Sequence, residues 1–258
     1  MSYLQIRNVW KTYEDNVILE KLTFSVEKGE FCTLIGPSGC GKSTFLRMLL
    51  GQESTSRGKI LLEGKELSIE PDSDRGVVFQ KYTLFPHLKA LENVMLGLEL
   101  ERSPLLGKVF GPSRRKIKEE AMEMLESVGL GSSAAKYPSE LSGGMQQRLS
   151  LAQALVKNPK ILLLDEPFGA LDPGSRGDMQ ELVRNLWKSH NLTVFMVTHD
   201  VKEAFELGTR LLVFDKVRID PHAPGAYGAT LVNNIKLDKK ERKKGGNDDV
   251  NTYETSLA

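Results

Sequence analysis

Cysteine is scarce in this chain: Cys32 and Cys40 are the full complement in 258 residues. One lies in a strand-like run and one in the turn after it. Two such residues make neither a disulfide framework nor a zinc-ligand spacing, and Cys32 reads as a small core residue. Long apolar runs are missing too. None approaches the roughly 20 residues of a membrane-crossing helix. Met1 to Trp10 mixes polar and apolar residues where a secretory leader would be apolar. Neither sign of charge is in excess: 35 Lys+Arg against 34 Asp+Glu leave a formal net charge of +1. Such a balance offers no electrostatic reason for nucleic-acid binding. The expectation is a cytosolic chain whose membrane association, if any, is peripheral and made through another protein. With 40% hydrophobic and 27% charged residues, its length suffices for one large domain with a sizeable core.

What is present centres on Gly36-Pro37-Ser38-Gly39-Cys40-Gly41-Lys42-Ser43-Thr44. Gly36, Gly41, Lys42 and Ser43 meet every fixed position of the phosphate-loop pattern G-x-x-x-x-G-K-[ST]. Before it, Phe31 to Ile35 is a short apolar run that reads as a buried strand. After it, Thr44 to Leu50 reads as a helix stopped by Gly51. Glycines turn consecutive backbone N–H groups inward, and the helix dipole adds positive potential, so the turn is suited to an anion. Lys42 is placed to reach β- and γ-phosphates and the Ser43 hydroxyl to bind Mg2+. Modification of Cys40, inside this loop, is expected to block nucleotide binding.

Residues 3 to 27 alternate as half-buried strands do, around a turn at Glu14-Asp15-Asn16. Tyr13, just before that turn, offers a π-face on which a base can stack; Trp10 competes for the role. Lys59 to Leu62 and Gly76 to Phe79 read as further strands. Tyr82 to Leu100 holds a turn and then apolar residues at helical spacing. Residues 101 to 116 read as a loop ending in the basic run Arg114-Arg115-Lys116, and Ile117 to Val128 as a helix closed by Gly129. A helix follows Leu141-Ser142-Gly143-Gly144-Met145-Gln146-Gln147-Arg148 and is broken at Asn158-Pro159. Ile161 to Leu164 is apolar throughout, as a strand buried on both faces of a parallel sheet is. Gly174 to Lys188 is helical. Thr193 to Val197 is another buried strand, Val201 to Leu207 a helix, and Leu211 to Phe214 the final core strand.

Alternating strands and helices give an α/β fold with a mostly parallel sheet, in which ligands bind beyond the carboxyl ends of the strands. Gly36, Gln80, Asp165-Glu166 and His199 each directly follow a strand-like run, so the sheet is expected to gather them on one edge. Their chemistry suits phosphoryl transfer to water. Asp165 can hold Mg2+ opposite Ser43, and Glu166 can serve as general base to the attacking water. Gln80 can serve Mg2+ or the water and report on the γ-phosphate to the helical middle third. His199 can donate to the γ-phosphate. A lone histidine at a strand end is more often structural, so His199 takes its weight from these neighbours. Ser142-Gly143-Gly144 at a helix start is a second anion site with no pocket of its own. It implies service to a nucleotide held by another copy, in a two-fold, head-to-tail pair.

With those residues in hand, the chain resembles the ATP-binding subunit of ABC transporters over about residues 3 to 215. Gly36 to Thr44 is similar to the Walker A loop, Gln80 to the Q-loop glutamine, and Leu141 to Arg148 to the signature motif. Ile161 to Glu166 is similar to Walker B with the catalytic glutamate, and His199 to the switch histidine. Tyr13 then matches the base-stacking aromatic, and Gly169 to Asp172 the D-loop at the dimer interface. The resemblance implies a P-loop NTPase (ABC ATPase) fold with a mostly parallel core sheet, an antiparallel N-terminal β subdomain and an inserted helical subdomain. It implies catalytic roles for Glu166, His199 and Gln80, and Mg2+ ligation by Ser43, Gln80 and Asp165. ATP contacts are implied for Tyr13, Gly36, Ser38, Gly39, Cys40, Gly41, Lys42, Ser43, Thr44, Ser142, Gly143, Gly144, Gln146 and Asp172. Two ATPs would be sandwiched between two copies. Their closure and reopening would move an integral-membrane permease docked around Lys81 to His87, at the cytoplasmic face of the inner membrane, with an extracytoplasmic solute-binding protein in the complex.

Residues 1–237 are expected to form the ATP-binding domain, with a helical subdomain at about 82–157, and 238–258 a disordered polar tail. The chain is short for the large C-terminal regulatory domain that some importers carry. The segment Glu166 to Asp172 is similar to importers of the nitrate, sulfonate and taurine type. Phe214 to Arg218 and Ala226 to Ala229 resemble a branch linked to urea or related nitrogen compounds. The alternatives are an exporter or membrane-remodelling ATPase, and a soluble ABC protein. A soluble ABC protein usually has two cassettes or a long coiled-coil insertion, neither visible here. A P-loop kinase would have no use for Leu141 to Arg148.

Overall fold

The computed structural model describes residues 2–70, 72–80, 83–103 and 109–237. Lys81, Tyr82, residues 104–108 and the tail at 238–258 lie outside them. The chain divides into two compact units, residues 1–70 with 193–258, and residues 71–192.

In the first unit, β1 (Leu4–Tyr13) and β2 (Asn16–Val26) form an antiparallel hairpin across the expected turn. Alternation puts Leu4, Ile6, Val9, Leu22, Phe24 and Val26 in the core. β4 (Arg57–Leu62) pairs with β1, and the two-residue β5 (Lys65–Glu66) with β4, giving the order β2-β1-β4-β5. The same unit holds β3 (Phe31–Ile35), β8 (Thr193–Val197) and β9 (Arg210–Asp215), with β3 parallel to both others. β3 and β8 are buried along their whole length, which is why they read as unbroken apolar runs. Helix α1 (Lys42–Leu50) packs on this sheet through Phe45, whose ring centroid lies 5.9 Å from that of Phe24, 6.2 Å from Phe195 and 5.6 Å from Phe214. Such pairs add about 0.5–1.5 kcal/mol each beyond burial. Gly51, in the left-handed conformation, ends the helix. α6 (Val201–Leu207) follows β8. Leu211 to Phe214 is not the last strand: β10 (Thr230–Lys236) lies antiparallel on β9. Its mostly exposed, polar face hides it from a search for apolar runs.

In the 71–192 unit, β6 (Arg75–Val78) runs parallel to β7 (Ile161–Asp165). α2 (Ala90–Arg102), α3 (Gly111–Ser127), α4 (Gly143–Leu155) and α5 (Pro173–His190) complete it. The loop expected at 101–116 is shorter than that. α2 keeps Glu101 and Arg102, and α3 already begins at Gly111. Pro112 does not prevent this, because the first helical turn has no use for its missing N–H. Asn93, 1% exposed on α2, organises the turn before that helix. Its amide donates to the carbonyls of Phe85 (3.1 Å), Leu88 (2.8 Å) and Lys89 (3.1 Å), and its Oδ1 accepts from Phe85 N–H at 2.9 Å. Gln153 of α4 donates to the same Oδ1 at 3.1 Å.

Gly58 shows how closely strands approach in the first unit. A Cβ there would lie 2.1 Å from the Asn8 carbonyl oxygen, at a φ of 76° that favours glycine. Gly58→Ala is therefore expected to cost at least about 2 kcal/mol, read as a lower urea midpoint.

Candidate nucleotide site

The phosphate loop leaves β3 at Gly36, which has a φ of 145°. A Cβ there would stand 2.0 Å from the Phe214 carbonyl oxygen, so only glycine lets the chain turn beside β9. Gly41 caps α1 at a φ of 83°. Lys42, buried, donates from Nζ to the carbonyls of Gly36 (2.7 Å) and Pro37 (2.8 Å), so the loop curls around a positive centre. Cys40 Sγ lies 3.6 Å from that Nζ. Burial pushes its thiol above the ordinary value, against the pull of the Lys42 charge. Burial does the same more strongly to Cys32, so neither cysteine is a ready thiolate. Gly39, Gly41 and Ser43 complete the turn and the first residues of α1, with Ser38 exposed at its tip.

β3 and β8 are in parallel register at Leu34 and Val197, so Gly36 and His199 emerge from the same edge of this sheet. The His199 turn is pinned on both sides. Thr198 donates to the buried Glu203 carboxylate at 2.7 Å, and Asp200 caps α6 through Lys202 N–H at 2.8 Å. His199 itself is exposed. Tyr13, at the end of β1, is 40% exposed. Its hydroxyl donates to Glu53, and the ammonium of Lys11 lies over its ring at 4.8 Å from the centroid.

In the 71–192 unit, the register of β6 and β7 pairs Val78 with Leu164. Gln80 and Glu166 each lie two residues beyond that pair. Gln80 Nε2 donates to Glu166 Oε2 at 3.2 Å. Asp165 ends β7, half-buried. Glu166 has a φ of 48°, uncommon for a non-glycine residue. Such strain costs about 1–3 kcal/mol and gathers at functional positions. The buried Pro167 and Phe168 and a Gly169 N–H to Glu166 carbonyl bond of 3.2 Å hold it in place.

Ser142 caps α4, its Oγ accepting from Met145 N–H at 3.4 Å. That leaves its hydroxyl proton for a ligand, beside the N–H groups of Gly143 and Gly144. Gln146 turns back: Nε2 donates to the carbonyls of Pro138 (2.9 Å) and Leu141 (3.1 Å). It braces the turn before α4, and only its Oε1 is left for a ligand. Asp172 caps α5 by accepting from Ser175 N–H at 3.0 Å, and these Ser175 hydrogen bonds hold its carboxyl below the ordinary value. Ser175 in turn abuts Gly144, 3.6 Å from where its Cβ would be. A cleft of about 720 Å³ opens elsewhere in this unit between α2 and α3. Leu91, Met95 and Met122 line it, together with Lys89, Arg114, Arg115, Lys118 and one carboxylate, Glu92.

Sequence reasoning passed over Glu53, Asn93 and Gln153. Asn93 carried no signal: at about 100° per residue it falls on the side of the helix away from Leu91, Val94, Met95 and Leu98, where a polar residue reads as solvated. Glu53 carried none, because its partners are 42, 40 and 6 residues away in the chain.

The chain's relatives agree with one another in kind. Residues 19–169 match the model of a family described as ABC transporter. The Fe(3+) ions import ATP-binding protein FbpC of Photorhabdus laumondii is 40% identical over 220 residues, 84% of this chain and 60% of that protein. The aliphatic sulfonates import ATP-binding protein SsuB of Bacillus anthracis is 37% identical over 226 residues, 88% of this chain and 82% of that one. The spermidine/putrescine import ATP-binding protein PotA of Lawsonia intracellularis is 42% identical over 219 residues, 84% of this chain and 57% of that one. The chain thus spans about three fifths of the length of the iron and polyamine relatives. Among solved structures, the dimeric post-hydrolysis state of the ATP-binding cassette MJ0796 with ADP and Pi matches with a TM-score of 0.71 at 31% identity, covering 91% of this chain and 99% of that one.

If Glu166 is the base, Glu166→Gln keeps the hydrogen-bonding shape and loses the proton acceptor. Steady-state hydrolysis should fall by about 10²–10⁴ while equilibrium ATP binding is retained. Turnover close to the parent's would remove Glu166 from that role.

Proposed function

The chain belongs to the ABC transporter family and carries its ATPase cassette; on that premise we propose that it hydrolyses ATP as one of two head-to-tail copies and so drives a membrane permease that imports a small solute. The observation that carries this reading is the capped start of α4. Ser142, Gly143 and Gly144 present a second anion-binding helix terminus in a chain that already has a complete phosphate loop. A terminus without its own nucleotide is accounted for when it closes on the partner's.

In this reading residues 1–237 are the ATP-binding domain, with a helical subdomain inserted at about 82–157. The base stacks on Tyr13. Backbone N–H groups from Gly36 to Thr44 and the ammonium of Lys42 take the phosphates. From the second copy, Ser142, Gly143, Gly144 and the Oε1 of Gln146 reach the γ-phosphate, beside the D-loop at Asp172. Glu166 accepts a proton from water, whose oxygen bonds to the γ-phosphorus as the bond to the β,γ-bridging oxygen breaks. ADP leaves with that electron pair. His199 donates to the γ-phosphate oxygens, and Gln80 orients the water.

Among the described residues no group of three or more His, Cys, Asp or Glu clusters as a metal cage. One hydroxyl, one carboxylate and one amide, from Ser43, Asp165 and Gln80, suit Mg2+, which keeps waters and binds largely through substrate phosphates. When bound, Mg2+ supplies neutralising charge on the phosphates.

No helix among the described residues is long and apolar enough to cross a membrane; in this reading the chain sits on its permease as a peripheral subunit at the cytoplasmic face of the inner membrane. The α2–α3 cleft, lined by apolar residues and by four cations against the single carboxylate of Glu92, supports docking of an acidic, amphipathic permease helix there. Lys81 and Tyr82, part of the docking segment expected from sequence, lie outside the described residues. The named relatives import sulfonates, ferric ions and polyamines. The nitrate, sulfonate and taurine class, or a urea-like nitrogen compound, rests on the likeness at Glu166 to Asp172 and at 214–229. An extracytoplasmic binding protein completes the importer.

Ser142→Arg puts a bulky cation at the terminus. It should leave ATP binding by the single chain intact and abolish the ATP-dependent dimer in sedimentation. Loss of ATP binding by the single chain would contradict the placement in trans. Capture of the chain from gently solubilised host membranes tests the wider reading. A permease with a solute-binding protein supports import, a permease alone export, and no membrane protein a soluble role.

A further inference from the structure

Glu53 lies in the turn between α1 and β4, and three groups from two elements, β1 and α1, converge on it. The Tyr13 hydroxyl donates to its Oε2. Lys11 Nζ, from the same strand as Tyr13, is 3.2 Å from that oxygen. Arg47 of α1 is 3.6 Å from its Oε1. Lys11 is only 8% exposed, and its ammonium also donates to the Ser54 carbonyl at 2.9 Å. A buried ammonium needs a counter-charge, and Glu53 provides it. Lys11 and Tyr13 lie two apart on β1 and so share a face, which brings the ammonium over one side of the ring. That side is taken, so the exposure of Tyr13 belongs to the rest of the ring.

We propose that Glu53 is a positioning residue for nucleotide binding: it fixes the ring of Tyr13 through its hydroxyl and ties it to α1, the helix that carries the end of the phosphate loop. This rests on the base-stacking reading of Tyr13. A tyrosine has two torsions between backbone and ring; the anchored hydroxyl, which lies on the axis of the second, restrains the first, and the Lys11 ammonium over one face of the ring restrains the second. The order of that side chain is then paid before the base arrives. Arg47, one turn beyond Thr44 on α1, sets the distance between platform and loop. The state of the phenol agrees with this geometry. Burial, then the hydrogen bond to and charge of Glu53, hold it above its ordinary value, against opposing effects of Thr44 and Arg47. The Glu53 carboxyl is pushed up by burial, yet Tyr13, Lys11 and Arg47 together hold it below the ordinary value.

The consequence is confined to the base. Inorganic tripolyphosphate engages the loop but has nothing to stack, so the ratio of ATP to tripolyphosphate affinity isolates the platform. Calorimetry on the full chain should show Tyr13→Ala lowering that ratio roughly tenfold, as loss of one stacked base does. Tyr13→Phe keeps the ring and loses the anchor; Glu53→Gln keeps the shape and loses the charge. Each should lower the ratio roughly three- to tenfold, the cost of ordering one side chain on binding. The double variant should do no worse than the larger single effect, because both cut the same tie. In Glu53→Gln, one phenol should ionise at lower pH than in the parent, by ultraviolet absorbance. Should Glu53→Gln fail to fold for want of the Lys11 counter-charge, Tyr13→Phe alone decides. An unchanged ratio in Tyr13→Phe beside a lowered one in Tyr13→Ala overturns the positioning role and leaves the stacking role standing. An unchanged ratio in Tyr13→Ala overturns the stacking role itself.

Discussion

Backbone N–H groups at a helix start can hold an anion only if no side chain stands between them and it. Much of the unit formed by residues 1–70 and 193–258 follows from that requirement. Gly36 has no Cβ because the carbonyl of Phe214 occupies its place. Gly41 caps α1 in a left-handed conformation, with Leu19 at 2.7 Å from where a Cβ would be. The helix so exposed at its N-terminus needs an anchor on its other side. Phe45, wedged among Phe24, Phe195 and Phe214, is that anchor. The polar turn and the aromatic core beneath it are thus two halves of one design, since a loop that lends its amides to a ligand cannot also hold its own helix in place.

Residues 71–192 solve a different problem, which is to keep reactive groups at strand ends without letting them wander. Parallel register puts Gln80 and Glu166 level, and a hydrogen bond joins them. The positive φ of Glu166 stores strain that the buried Pro167 and Phe168 sustain. Asn93 supplies a second kind of rigidity. It spends its amide on the turn at Phe85 to Lys89 and receives Gln153 from α4, the helix that begins with Ser142. The turn that follows Gln80 in the chain and the α4 helix are therefore tied within this one unit.

Much of this was legible in the sequence, and the exceptions share a cause. Runs buried on both faces, such as Thr193–Val197, declare themselves by composition, and the glycine pattern at Gly36–Gly41 by spacing. β10 escaped because an edge strand with an exposed polar face has no apolar signature. The start of α3 escaped because Gly111 and Pro112 read as breakers, although proline in a first helical turn breaks nothing. At the site, residues that follow strands were visible by position. Those that act through a neighbour were not. Glu53 meets Lys11 and Tyr13 across about forty residues of chain, and no local pattern announces such a pairing.

The central claim is that each ATP is held by the phosphate loop of one copy and the α4 terminus of the other. Mixing two defective chains tests it most directly. Lys42→Ala lacks a working loop and Ser142→Arg a working terminus, and each alone should be inactive. In an equimolar mixture, the heterodimer has one site built from the intact loop of one chain and the intact terminus of the other. ATP turnover should therefore return on mixing. A mixture as inactive as its components, with both variants folded, would contradict the shared site.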